Sequence, residues 1–181
     1  GVRWSAKRVR LWSAWLLVPP FLVLARPAAA SLVVGGAVAA LGLVLRAWAA
    51  GTIRKDAELT TAGPYAHTRN PLYLGTFLIG VGLAVASGRL ALVLAFLLFF
   101  AVVYGRTIRA EERRLVERFG PAARAYLASV PRLFPRLVPY RPPGGPAGRF
   151  EWRRYRHSRE YQAALAVAAA LAALVVKAWW R

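Results

Sequence analysis

The chain has no cysteine and only two histidines, His67 and His157, among 181 residues. The first absence removes disulfides, thiolate metal sites and cysteine nucleophiles together. Two histidines at unrelated positions, with no zinc-like or two-metal ligand spacing anywhere, argue against a metal site. Acidic residues are scarce too: seven, against 26 lysines and arginines, for a net charge of +19. No GxGxxG follows a β-strand pattern, so nothing suggests the soluble nucleotide-binding fold.

What is abundant is apolar length. The hydrophobic fraction is 58% and the mean hydropathy +0.41, above the range usual for soluble chains. A basic excess of this size could suggest nucleic-acid binding. The basic residues, however, lie between long apolar runs and mostly on alternate sides of them, which is how membrane topology is written; no nucleic-acid partner is expected. The length points to one membrane domain, 1–181. The chain opens Gly-Val, and Gly1 is set aside as foreign to the fold. No small-residue cleavage site follows the first apolar run, which is therefore read as a retained span.

A membrane helix needs roughly 17–25 mostly apolar residues. The expected fold is all-α and polytopic, with about five such helices. Residues 11–24 are marginal and contain Pro19-Pro20. Residues 31–50 are convincing, and Gly35-Gly36 and Gly42 permit close helix approach. Residues 72–87 and 90–105, joined at Ser87-Gly88-Arg89, make a tight antiparallel hairpin over 72–105. Residues 161–180 are alanine-rich and end at an anchor of Lys177, Trp179, Trp180 and Arg181. The chain thus divides into N-terminal spans (1–50), a core (59–140), a basic interfacial connector (141–160) and a C-terminal span (161–181). Residues 131–148, with Pro142-Pro143 and Gly144-Gly145-Pro146, read as an irregular stretch over the membrane face. EWRRYRHSREY follows as a basic, aromatic lead into the last span. Five spans put 22 of the 26 basic residues on one side, among them Arg3, Lys7, Arg8 and Arg10. That asymmetry predicts a cytoplasmic N-terminus and an outside C-terminus in the inner membrane. All seven acidic residues share the cytoplasmic side.

Two polar stretches stand out there. GPYAHTRNPLYLG, residues 63–75, reads locally as a turn at Gly63-Pro64 and a helix start, with Asn70 as N-cap and Pro71 in the first helical position. On that account Tyr65 and Tyr73 are interfacial belt residues and Arg69 a positive-inside charge. RTIRAEERRLVERFGPAARAY, residues 106–126, reads as an amphipathic cytoplasmic helix to Phe119, stopped by Gly120-Pro121. At 3.6 residues per turn, Ile108, Leu115, Val116 and Phe119 form one apolar stripe. Glu112 lies inside that stripe and Glu111 at its edge. A pair with Arg109, three residues earlier, would account for Glu112. A carboxylate directed toward membrane depth is otherwise a functional-site hypothesis.

Taken together, GPY…RNPxYxG, a helical hairpin, EExxLxxxFGxxxxxY and VPRLFP resemble the isoprenylcysteine carboxyl methyltransferase and phospholipid N-methyltransferase families. These are integral membrane enzymes that use S-adenosylmethionine, and the resemblance covers roughly residues 59–140. It implies a cofactor pocket formed by Arg69, Pro71, Tyr73 and Gly75 with Glu111 and Glu112, walled by Leu115, Phe119, Gly120 and Tyr126. It also implies a cover from residues 130–140 and a lipid substrate entering sideways from the bilayer. The family motif commonly has histidine where this chain has Asn70; asparagine can hydrogen-bond but cannot titrate near neutral pH.

The residue types suit S-adenosylmethionine. Glu111 and Glu112 offer carboxylates, Arg69 with Arg109 or Arg113 offers cations, and Tyr65, Tyr73 and Phe119 offer aromatic walls. In-line methyl transfer depends chiefly on alignment. An anionic acceptor needs only a cation to orient it, for which Arg106 and Arg109 are candidates. An amine acceptor needs a base, and Glu112 or Glu111 could serve with a pKa raised by burial; His67 is a third possibility. The partner expected is a membrane lipid or a prenylated small molecule. Two alternatives stand beside this reading: an NADPH-dependent membrane reductase resembling sterol reductases, and a non-enzymatic protein whose basic face binds anionic lipid headgroups.

Overall fold

The structure, a computed structural model, describes residues 16–55 and 57–180. Arg3, Lys7, Arg8, Arg10, Arg181 and the first part of the 11–24 run lie outside the described residues. The elements in chain order are α1 (residues 16–24), α2 (Ala29–Thr52), a 3-10 turn (Gly63–Ala66), α3 (Pro71–Ala86), α4 (Leu90–Ser129), α5 (Trp152–Ser158) and α6 (Tyr161–Trp179). No strand occurs among the described residues. Helices α2, α4 and α6 are each long and apolar enough to cross a membrane, and α3 is a shorter apolar helix of 16 residues. The chain is a polytopic, all-helical membrane protein, and much of its outer surface is apolar: Leu94, Leu98, Val102 and Leu165 are all exposed.

The central contact is α2 against α3, and glycine explains it. The two helices run antiparallel, so Gly35 meets Gly82 and Gly42 meets Gly75. A Cβ on Gly35 would lie 2.3 Å from the Gly82 carbonyl oxygen, and one on Gly42 would lie 2.7 Å from that of Gly75. Backbones this close exchange side-chain volume for direct van der Waals contact, the packing lipid favours. Gly36 faces α6 instead, at ordinary contact distance from Leu171.

At one end of this pair, Ala25, Ala86 and Leu174 are fully buried with Phe21, Leu22, Leu32 and Leu171 packed on them. There Lys177 donates to the carbonyls of Leu22 and, at 2.9 Å, of Val23. These are the last carbonyls of α1, where a cation satisfies groups the helix leaves unpaired. The expected hairpin of α3 and α4 turns at the same end. Its interface is aromatic: Phe77 packs on Phe100 (5.0 Å) and Phe96 (6.2 Å), and Phe100 stacks on Tyr104 at 4.6 Å.

At the opposite end the sequence reading needs one correction. The amphipathic segment after Gly105 does not begin a separate helix; α4 continues without interruption as far as Phe119. Thirty residues of helix, from 90 to 119, span about 45 Å, against a hydrocarbon core of about 30 Å. The helix therefore carries Glu112 past the apolar band as a rigid extension. The expected stop at Gly120-Pro121 is present as a break between two helical stretches. Gly120 adopts φ 56°, ψ −127°, which breaks the axis. Pro121, with its φ already helical, then opens a further stretch to Ser129.

Candidate active site

The stretch after α4 folds back as a strap along the 63–70 turn. The amide of Arg69 donates to the Pro131 carbonyl (2.9 Å), that of Arg136 to His67 (2.9 Å), and that of Tyr140 to Ala66 (2.8 Å). The Thr68 hydroxyl donates to the Leu133 carbonyl at 2.8 Å, and the His67 ring nitrogen Nδ1 meets the Arg136 carbonyl at 2.8 Å. Tyr126, almost wholly buried, donates from its hydroxyl to the Tyr65 carbonyl at 2.7 Å. Two loops without regular structure thus satisfy each other's backbone, which fixes the side chains they carry.

Glu112 is the convergence point, and it is 8% exposed. Arg69 reaches it from the turn, Nη1 to Oε1 at 2.9 Å. Arg132 reaches it from the strap in a two-pronged contact, Nε to Oε1 at 3.0 Å and Nη2 to Oε2 at 2.8 Å. Arg69 is itself tied down by the carbonyls of Val130 and Leu127. The alternative partner three residues earlier, Arg109, is exposed and makes neither of these ion pairs. Burial alone would push the Glu112 carboxyl up. The hydrogen bonds and charges of Arg132 and Arg69 outweigh it and hold the group below the ordinary carboxylate range. A raised pKa for a general base at Glu112 is therefore wrong.

The other expected site residues divide. Pro71 takes the first position of α3, and Asn70 occupies its N-cap position without capping: its Nδ2 donates instead to the Arg132 carbonyl at 2.9 Å. Its backbone at φ −130°, ψ 60° aims the side chain across to the strap. Tyr73 packs edge-on against Tyr104 at 5.5 Å. Gly75 serves the α2 contact, where a Cβ would strike Arg46 and the Gly42 carbonyl. Phe119 is half-buried and Arg106 exposed. Glu111 turns away from Arg69 to a loose pair with Arg114 at 3.8 Å. Tyr65 is not a lipid-belt residue, being 7% exposed, and its hydroxyl has no hydrogen-bond partner among the described residues.

Arg132 was missed as a site residue, although it stands in the VPRLFP motif that carries the resemblance. A second ionic cluster was missed altogether. Arg46, inside α2, grips Glu160 at the start of α6 by Nε (2.9 Å) and Nη2 (2.7 Å). Its Nη1 donates to the Thr76 hydroxyl at 2.6 Å and the Leu72 carbonyl at 3.3 Å. A lone arginine within an apolar run is the available signal.

Two guanidiniums on one carboxylate leave the Glu112 cluster with a surplus positive charge. Beside it, Phe134 of the strap stands edge-on to Phe77 at 6.2 Å, extending the aromatic wall outward. An anionic carboxylate and a flat heteroaromatic ring find complementary groups here.

The phospholipid methyltransferase family matches residues 26–122, just over half of the chain. The nickel-cobalt-cadmium resistance protein NccN of Alcaligenes xylosoxydans xylosoxydans is 40% identical over 117 residues, 62% of this chain and 54% of that protein. The cobalt-zinc-cadmium resistance protein CzcN of Cupriavidus metallidurans is 40% identical over 103 residues, 56% of this chain and 47% of its own. The protein-S-isoprenylcysteine O-methyltransferase of Schizosaccharomyces pombe is 35% identical over 85 residues, covering 47% and 36%. The chain spans about half the length of the first two relatives. No solved structure matches it.

Proposed function

Since the chain belongs to the phospholipid methyltransferase family, we propose that it is an S-adenosylmethionine-dependent methyltransferase acting on a lipid or isoprenoid-linked acceptor at the cytoplasmic face of the inner membrane. The observation that carries this reading is the convergence of Arg69, Glu112 and Arg132, from three separate stretches, on one buried carboxylate. When bound, S-adenosylmethionine supplies an electrophilic methyl group on a sulfonium. Arg69 and Arg132 are the cations for its carboxylate, Glu112 the anion that holds both in place, and Phe77 and Phe134 the wall for its base. Asn70 and Thr68 hold the strap in place, so they position the site. The family match ranks this reading above a membrane reductase.

The depressed pKa of Glu112 favours an acceptor that is already anionic and needs no base. Arg106 and Arg109, exposed where α4 leaves the apolar band, are the cations proposed to orient it. The test is titration of S-adenosylmethionine into the full chain in nanodiscs. Saturable binding is expected, lost in Glu112→Gln while a cooperative melt is retained. Absence of saturable binding by the wild type overturns the reading. Isotopic methyl transfer into host lipids, read by mass spectrometry, then identifies the acceptor.

A further inference from the structure

We infer that α5 and the end of α2 form a binding site for the phosphate of an anionic membrane lipid, separate from the Glu112 site. An open groove of about 640 Å³ is lined by Ala50 and Ile53 of α2 and its extension and, from beyond the stretch that matches the family, by Arg153, Arg154, Arg156, His157 and Ser158. Its floor is apolar and its wall basic, the order in which a lipid presents acyl chain and headgroup.

The groove is held in shape by its own bonds. Phe150 fills the space a side chain at Gly51 would need, a Cβ there lying 2.1 Å from its ring. The Glu151 amide donates to the Gly51 carbonyl at 2.9 Å. Arg154 donates from Nη1 to the Thr52 carbonyl at 2.8 Å and from Nε to Glu151 at 3.2 Å. Arg154 is thereby spent on holding α5 against the end of α2. Arg153 and Arg156 are exposed and take part in no ion pair among the described residues. Two unneutralised guanidiniums on one turn suit a phosphate, which accepts from both.

Depth selects a lipid over a soluble phosphate. Trp152 is 70% exposed and packs edge-on with Phe150 (5.2 Å) and Tyr155 (5.8 Å). Such aromatic groups sit at headgroup level, and α6 enters the bilayer two residues after α5 ends. The groove therefore opens where lipid phosphates lie, in a region where each arginine contributes measurably to anionic lipid binding. The inference requires only that the chain be embedded in a membrane, and holds whether or not methyl transfer occurs.

The test is native mass spectrometry of the full chain released from phosphatidylcholine nanodiscs doped with phosphatidylglycerol. One phosphatidylglycerol retained per chain is expected, with retention reduced at least tenfold in Arg153→Gln/Arg156→Gln. The charge-matched control Arg113→Gln/Arg124→Gln, on α4, should lose less than threefold. Equal losses in both double variants would reduce the effect to general surface charge and overturn the site. Inorganic phosphate binding the detergent-solubilised chain as tightly as the lipid would overturn the lipid assignment. A failure of S-adenosylmethionine binding leaves all these readouts unchanged, so the two proposals fail separately.

Discussion

Two carboxylates, buried Glu112 and half-buried Glu160, each meet arginine near the same end of the helices, yet the two clusters are built to different accounts of charge. Arg46 and Glu160 are matched one to one, and Arg46 spends four bonds on Glu160, Thr76 and Leu72. That cluster is neutral and occupied, a clamp joining α2, α3 and α6. Glu112 is matched by two arginines, and one of them, Arg132, has a side chain 51% exposed on a strap. That cluster has charge to spare and a partner able to move. The number of cations per carboxylate, and where the second cation resides, separates a site that can receive a ligand from one that only holds helices together.

Replacing each carboxylate by its amide sets the two clusters against each other. Glu112→Gln should abolish S-adenosylmethionine binding in the nanodisc titration. It should also cost about 3 kcal/mol of stability, the lower end for breaking a buried pair, because Arg132 is half in solvent. Glu160→Gln leaves Arg46 its bonds to Thr76 and Leu72 and should cost about 1–3 kcal/mol, with cofactor affinity within twofold of wild type. Equal losses of affinity in the two variants would erase the distinction between ligand site and clamp.

Acidification sharpens the same contrast. Glu112 has a folded pKa below its unfolded value. Its contribution is therefore fully present above the unfolded pKa of about 4.3 and is lost as pH falls through the folded value. Thermal melts of wild type and Glu112→Gln should differ most near neutrality and converge as pH falls through the folded value. Glu151, whose carboxyl Arg154 also holds down, is common to both proteins and cancels in the comparison. A gap that widens on acidification would place the stabilising charge elsewhere.

Which parts of this were legible in the residue order follows from their range. Helices α2, α3 and α6 fall within two residues of the apolar runs that announce them, because lipid rewards continuous apolar length. Gly35 and Gly42 were readable as a close-packing face, and Glu112 as an intruder in an apolar stripe. Gly105 misled because it marks where the apolar band ends, not where the helix does; an α-helix continues wherever its own hydrogen bonds allow. Asn70 misled because its local grammar as a cap competes with a partner 62 residues away in the strap. Glu160 is 114 residues from Arg46, and no period or motif connects them.

Tyr65 lies between the two clusters and gives the smallest and most discriminating expectation. Its backbone carbonyl receives the Tyr126 hydroxyl on the Glu112 side. Its own hydroxyl is within electrostatic reach of Arg46 and Glu160 on the other, where burial above all keeps it protonated, with no hydrogen-bond partner among the described residues. A buried hydroxyl without a partner costs the protein its desolvation, about 1–3 kcal/mol. Tyr65→Phe should therefore leave stability unchanged or raise it by up to about 1 kcal/mol, a rise of about 2–4 °C in melting temperature for a chain of this size. The melt is to be measured with and without S-adenosylmethionine. A gain that is the same in both conditions assigns the hydroxyl to neither site and keeps the clamp and the ligand cluster independent. A loss that appears only with cofactor present would mean the ligand reaches past Arg69 to this phenol, and the boundary between the two clusters would have to move inward toward Arg46.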